Sequence, residues 1–214
     1  MTLALDTATI RDPEILAALE PEWWSLWRRC PGATPFQSPA WLLPWWEVFH
    51  PGELCTVTIR ESGRLVGLAP LYLEISENGQ RLLPLGIGIS DYLDVVIDPD
   101  IPDAAATLSR HLSQPATWSV WEIPELAAAA MTRLLPCPDR CREDMTPASI
   151  CPVLTLAGHA GPAAVLPKTR QRKLRMAHRR IRRRQEPCIL LADGLNVGAL
   201  VDELIRLNRL RHAG

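Results

Sequence analysis

No apolar run in this chain approaches the ~18 residues needed to span a bilayer, so no transmembrane segment is expected. The amino terminus, MTLALDTATIRDP, lacks both a basic region and a long apolar stretch. That argues against a secretory signal and for a cytoplasmic protein. In that compartment the six cysteines, Cys30, Cys55, Cys137, Cys141, Cys151 and Cys188, are expected as reduced thiols. Cys137 and Cys141 are spaced C-x3-C with no histidine at ligand spacing, so no metal site is expected. G-x-S-x-G, the P-loop and H-E-x-x-H are all missing, which leaves the hydrolases, nucleotidases and zinc peptidases that carry them without a motif. Residues 157–214 contain no Phe, Tyr or Trp, so single-stranded bases would find nothing there to stack on.

One segment lacks acidic residues altogether. Residues 168–184, KTRQRKLRMAHRRIRRR, hold 10 of the 23 Lys and Arg and no Asp or Glu. The remainder carries 13 basic against 24 acidic residues, a formal charge of −11 within an overall −1. An acidic body thus carries one concentrated basic segment. Two uses follow from it: a solvated helix packed through Leu174, Ala177 and Ile181, or a binding surface for an anionic ligand, a membrane or nucleic acid. Arg170, Arg172, Lys173, Arg175 and Arg179 are the anion-binding candidates.

What the chain does have is a globular composition, 47% hydrophobic and 22% charged. Alternation predicts strands at 2–8, 54–60, 65–75, 81–85, 92–97, 118–123, 153–156 and 189–192. Spacings of three and four predict a helix over 12–29, interrupted at Pro21, and others over 38–50, 102–112, 125–135, 166–185 and 196–212. Ser38-Pro39 reads as a helix start, Ser62-Gly63 and Asn78-Gly79 as hairpin turns. In the last helix Asn196 is the cap, Val197, Leu200, Val201, Leu204, Leu207 and Leu210 form an apolar stripe, and Asp202 pairs with Arg206. Hairpins followed by strand–helix alternation indicate a mixed α/β sheet. The tryptophans at 23, 24, 27, 41, 45 and 46 sit at helical spacings and are expected to form a core between the first helices.

The element order of residues 3–156 is similar to the GNAT fold. Four strings, FQSPAW (36–41), GRLVGLAPLYLE (63–74), LGIGISDYLD (85–94) and LPKTRQRKLRMAHRRI (166–181), together resemble the CelD-like (cellulose biosynthesis protein) acyltransferases, relatives of the Fem-type aminoacyltransferases. The resemblance implies a GNAT-like, largely antiparallel sheet with helices on both faces over 1–160. It further implies that 161–214 are the basic helix and the first strand–helix unit of an incomplete second lobe. It implies acyl-CoA as cofactor and transfer of an acyl group to an amine or hydroxyl acceptor, a small molecule or one related to polysaccharide synthesis. In that family the transfer is assigned to the second lobe.

A GNAT lobe holds the CoA pyrophosphate on a Q/R-x-x-G-x-G/A loop at a helix amino terminus. At the corresponding place this chain reads Asp98-Pro99-Asp100-Ile101-Pro102-Asp103. It has no glycine, the prolines offer no N–H, and three carboxylates repel phosphate. The first lobe is therefore expected not to bind CoA, the second lobe's loop is not within the chain, and this chain alone is expected to be inactive. The last helix reads Leu207-Asn208-Arg209-Leu210-Arg211-His212, where the family usually has L-H-x-x-R-W. A non-catalytic interaction module that uses residues 168–184 on a partner or nucleic acid is the alternative. Gln37, Ser38, Asp91, Tyr92 and Asp94 are the candidate substrate contacts. The last three set two carboxylates around a phenol, suited to positioning an amine or to general base work, or else to turn chemistry at Ser90-Asp91.

Overall fold

Alternation in Leu5–Ile10 gives strand β1, in which every second residue turns inward. The computed structural model describes residues 4–77, 79–114, 118–152, 158, 161–184 and 188–212. Asp12 caps the next helix: its Oδ1 accepts the Glu14 N–H at 2.8 Å, and Pro13 sits in the first turn, where its missing N–H has no helical partner to lose. That helix, Pro13–Ala18 (α1), is followed at once by Glu20–Arg29 (α2). The break at Leu19 puts Pro21 into the first turn of α2 rather than its interior. Helix α3, Pro39–Phe49, keeps Pro44 inside it.

The strands that follow are β2 (Glu53–Leu54), β3 (Thr56–Glu61), β4 (Arg64–Ala69), β5 (Leu71–Ser76), β6 (Gly79–Pro84), β7 (Val96–Ile97) and, after helix α4 (Asp103–Ser113), β8 (Val120–Trp121). They form two four-stranded sheets, ordered β1-β3-β4-β7 and β2-β5-β6-β8. Every pairing is antiparallel except that β8 runs parallel to β6. The expected hairpin forms across Ser62 and Gly63, whose φ of 49° and 83° suit a tight turn between twisted strands. The run from 64 to 76 passes from one sheet to the other at Pro70, which has no N–H for a ladder. Backbone bonds from Cys55 to the Leu71 carbonyl (2.9 Å) and from Leu85 to the Pro70 carbonyl (2.8 Å) extend the β2–β5 and β5–β6 ladders up to this crossing.

A bulge decides how β4 is used. Ile59 lies opposite Gly67, but Arg60 lies opposite Leu65, so Val66 is an extra residue. Leu65 and Leu68 consequently share one face while Val66 and Ala69 share the other. The first face meets Leu16, Leu19, Trp23 and Leu26 of α1 and α2 and Leu42, Trp45 and Trp46 of α3. The second meets Ala104, Leu108 and Leu112 of α4. Helices therefore cover both faces of a largely antiparallel structure, the mixed α/β arrangement expected. Leu16, Trp23 and Leu26 are fully buried, each stabilising by about 1.5–3 kcal/mol. Trp23, Trp45 and Trp46 are core residues, whereas Trp24, Trp27 and Trp41 are only half-buried.

Several expectations need correction. No helix spans 125–135, and only a 3-10 turn forms at Met131–Leu134. Glu125 has a φ of 54°, its carbonyl accepts the Leu93 N–H, and the N–H groups of Met131 and Thr132 are taken by Asp94. Tertiary bonds thus claim backbone groups that helix propensity alone would have kept. The strand expected over 92–97 is confined to Val96–Ile97, and that over 118–123 to Val120–Trp121. Ser38 stands at the N-cap of α3, but its hydroxyl donates backwards to the Pro35 carbonyl at 2.6 Å and caps nothing in the helix. The strand expected at 153–156 and Asn78 of the second hairpin turn lie outside the described residues.

The chain divides into two units, Met1–Ser149 and Ile150–Gly214. The second contains helices α5 (Pro162–Val165), α6 (Lys168–Arg184) and α7 (Val197–His212). Pro167 separates α5 from α6, so the single helix expected over 166–185 starts only at Lys168. No strand forms over 189–192: among the described residues this segment has no ladder partner, and Ile189, Leu190 and Leu191 are exposed. Asp193 and Asn196 close the turn before α7 by exchanging bonds, Asp193 N–H to Asn196 Oδ1 at 2.9 Å and Asn196 N–H to Asp193 Oδ1 at 3.0 Å. Arg206 pairs in two-pronged fashion with Glu203, both contacts at 2.7 Å, and not with Asp202. Among the described residues, no helix is long and apolar enough to cross a membrane.

Candidate functional site

Two of the strings that carried the resemblance, 36–41 and 85–94, meet in space. Gln37 is buried and bonded through both its amide oxygen and its amide nitrogen: its Oε1 accepts from the N–H and the hydroxyl of Thr34, both at 2.8 Å, and its Nε2 donates to the Tyr92 carbonyl at 2.8 Å. Its own carbonyl accepts the indole N–H of Trp23 at 2.9 Å. Trp41 donates its indole N–H to Ser90 Oγ at 3.0 Å, and Ser90 in turn donates to the Gly86 carbonyl at 2.7 Å. Phe36 packs edge-on against Trp41 and tilts against Tyr92, with ring centroids 5.3 and 6.3 Å apart. Gly86, at φ 90°, permits this closure, because a Cβ there would stand 2.6 Å from Ser90 Oγ and 2.8 Å from Leu42.

The carboxylates of the 91–94 segment are not brought together for shared chemistry. Asp91 is exposed. Asp94 turns inward and accepts from the Met131 N–H (2.7 Å), the Thr132 N–H (2.8 Å) and the Thr132 hydroxyl (2.7 Å), which fixes the start of the 3-10 turn at 131–134. Gln37, Ser38 and Asp94 therefore spend their polar atoms on holding the loop, and Tyr92 and Asp91 are the members left at its surface.

The turn between β7 and α4 is built around an ion pair. The Asp98 carboxylate is 1% exposed, and Arg29 Nε reaches it at 2.7 Å. Arg29 also donates to the Leu65 carbonyl at 2.7 Å, and the Asp98 N–H donates to the Val66 carbonyl at 2.8 Å, so the pair grips both sides of the β4 bulge. Asp98 Oδ1 accepts the Asp100 N–H at 3.2 Å, and Arg64 approaches at 3.6 Å. Beside it, the buried Cys30 thiol donates to the Ile97 carbonyl at 3.2 Å; burial and then the Asp98 charge push its pKa up to about 11, which leaves it no thiolate character. Burial likewise raises Cys55.

A groove that sequence reasoning missed opens between α1, α3 and β2. Its volume is about 870 Å³, with Leu16, Trp46 and Leu54 along the floor and Glu14, Glu47, Glu53, Arg11 and His50 around the rim. The Pro51-Gly52 turn sets one wall: a Cβ on Gly52 would lie 2.2 Å from the Leu73 carbonyl oxygen. Pro51-Gly52 after a helix was the one readable signal, and it marks a turn, not a cavity.

In the second unit, Arg170, Arg172, Lys173, Arg175 and Arg179 are all exposed on α6. Within that unit and among the described residues, no carboxylate lies within ion-pair distance of an α6 cation; Glu203 is engaged by Arg206. No group of three or more His, Cys, Asp or Glu suited to a metal occurs among the described residues. Compared with known proteins, the chain matches no family model, and no curated protein is significantly similar to it.

Proposed function

We propose that the chain is a relative of the CelD-like GNAT acyltransferases, acting in the cytoplasm, in which residues 1–160 are a lobe that does not hold acyl-CoA. The observation that supports this reading is the topology: a strand, three helices, an antiparallel run, a helix, and then β8 laid parallel to β6. The loop before α4 carries the buried Asp98 in place of a phosphate-binding glycine run, which accounts for a lobe that scaffolds without catalysing. Transfer from acyl-CoA to an amine or hydroxyl acceptor then belongs to the second lobe, which begins at α6. There the protein's part is to hold both reactants in line, take a proton from the acceptor and stabilise the oxyanion. No residue described here is assigned to those steps.

Two measurements test the reading. Nuclear Overhauser contacts between the amides of Arg81 or Leu82 and those of Val120 or Trp121 are expected from the parallel pairing, and their absence would remove its basis. A thiol-release assay with acetyl-CoA and a panel of amines is expected to give no free CoA above background from this chain. Release that saturates with acetyl-CoA would overturn the inactive-lobe assignment.

A further inference from the structure

Helix α6 does more than expose charge; it sorts it. At about 100° per residue, Lys168, Arg172, Arg175, Arg179, Arg182 and Arg183 fall within an arc of about 100° on one side of the helix. They extend along about 22 Å of its axis, one cation every 4–6 Å or so over most of that length. No acidic residue interrupts the helix. Of the five anion-binding candidates read from the sequence, Arg172, Arg175 and Arg179 belong to this arc, while Arg170 and Lys173 lie off it.

From this arrangement we infer that the α6 arc is a binding surface for the phosphate backbone of duplex nucleic acid, without base sequence preference. This inference stands on α6 alone and is independent of the acyltransferase reading. A duplex presents roughly one negative charge per 1.7 Å of axis, so a straight row of cations finds phosphates along its whole length. An anionic bilayer is a poorer match. An interfacial helix needs a broad apolar face with aromatic anchors. Here that side carries only Leu174, Ala177 and Ile181, shares its azimuth with Arg170, and has no aromatic residue. Single strands are a poorer match as well, because no ring in 157–214 offers a stacking platform.

The experiment is fluorescence anisotropy of labelled DNA duplexes of two unrelated sequences, titrated with the full chain over a series of salt concentrations. Six phosphate contacts predict that log K falls against log salt with a slope of about −5, equal for both sequences. R172Q/R175Q/R179Q removes three cations from the arc and R170Q/K173Q/R180Q removes three from outside it, so both variants have the same net charge. The arc variant is expected to lose about 3 from the slope and more than tenfold in affinity at low salt, and the matched variant less than half of that. All six side chains are exposed, and circular dichroism checks that both variants stay helical. Equal losses in the two variants would reduce the effect to net charge and overturn the proposal. So would a salt-independent or absent duplex signal, or sedimentation with phosphatidylserine vesicles in place of duplex binding.

Discussion

Arg29 and Asp98 form a buried ion pair, 2.7 Å from Nε to Oδ2, that ties the end of α2 to the turn before α4 and, through the Leu65 and Val66 carbonyls, to the bulge of β4. Asp98 is 1% exposed and Arg29 28%, so removing the carboxylate strands a cation that can partly return to water. Asp98→Ala is expected to cost about 2–3 kcal/mol, somewhat below the loss for a fully enclosed pair. Urea denaturation of Asp98→Ala, Arg29→Met and the double variant would give a coupling above about 1 kcal/mol. Additive losses would mean that the two residues act separately.

Gly86 and Gly88 both have φ near 90°, but only Gly86 is enclosed. Each should lose about 1 kcal/mol on change to alanine from backbone conformation. Gly86→Ala must in addition displace Ser90 and Leu42, so its loss is expected to reach about 2–3 kcal/mol. Thermal melts that rank Gly88→Ala as the worse variant would contradict the closure described for this loop.

His111 couples stability to mild acid. Thr9 Oγ1 lies 2.8 Å from its Nε2, and burial pushes its pKa below the usual histidine value. A lowered folded pKa means that the unfolded chain binds the proton more readily, so stability falls as pH drops below about 6.5 and levels off below the folded pKa. The melting temperature of the native chain should therefore fall from pH 7.5 to 5.5 by more than that of His111→Gln. Parallel curves for the two would remove His111 from the account.

Helix α7 leaves most of its apolar stripe exposed: Val197, Val201, Leu204, Leu207 and Leu210 are 45–65% exposed. Side chains in water contribute little of the ~1.5–3 kcal/mol that burial would supply, while ordering each residue still costs ~1–2 kcal/mol. Amides of 197–212 are expected to exchange rapidly and those of β3, β4 and β5 slowly. Equal protection in both regions would contradict the exposure seen here.

The β3–β4 hairpin was readable because Ser62-Gly63 and the flanking alternation point the same way, and the helical stretch over 12–29 was readable from its apolar spacing, with Pro21 signalling the interruption. The helix expected over 125–135 failed because its backbone groups are claimed by Leu93 and Asp94, partners more than thirty residues away that no local pattern announces. The strand at 189–192 failed because apolar residues make a strand only when a neighbour completes the ladder. At the candidate site, Gln37 and Asp94 were singled out for polarity, yet polarity does not say whether a group faces a ligand or its own chain. The juxtaposition of 36–41 with 85–94, the Arg29–Asp98 pair and the groove beside Trp46 are products of topology. The basic helix was the most legible feature, since seventeen consecutive residues without an acid leave little for tertiary context to reverse.

The proposed function holds that the first unit carries the buried Asp98 carboxylate where a GNAT lobe would bind CoA phosphate. Calorimetric titration of the chain with acetyl-CoA tests it directly. The account predicts no binding tighter than about 0.1 mM, near −5.5 kcal/mol. A dissociation constant in the low micromolar range, about −8 kcal/mol, would contradict it.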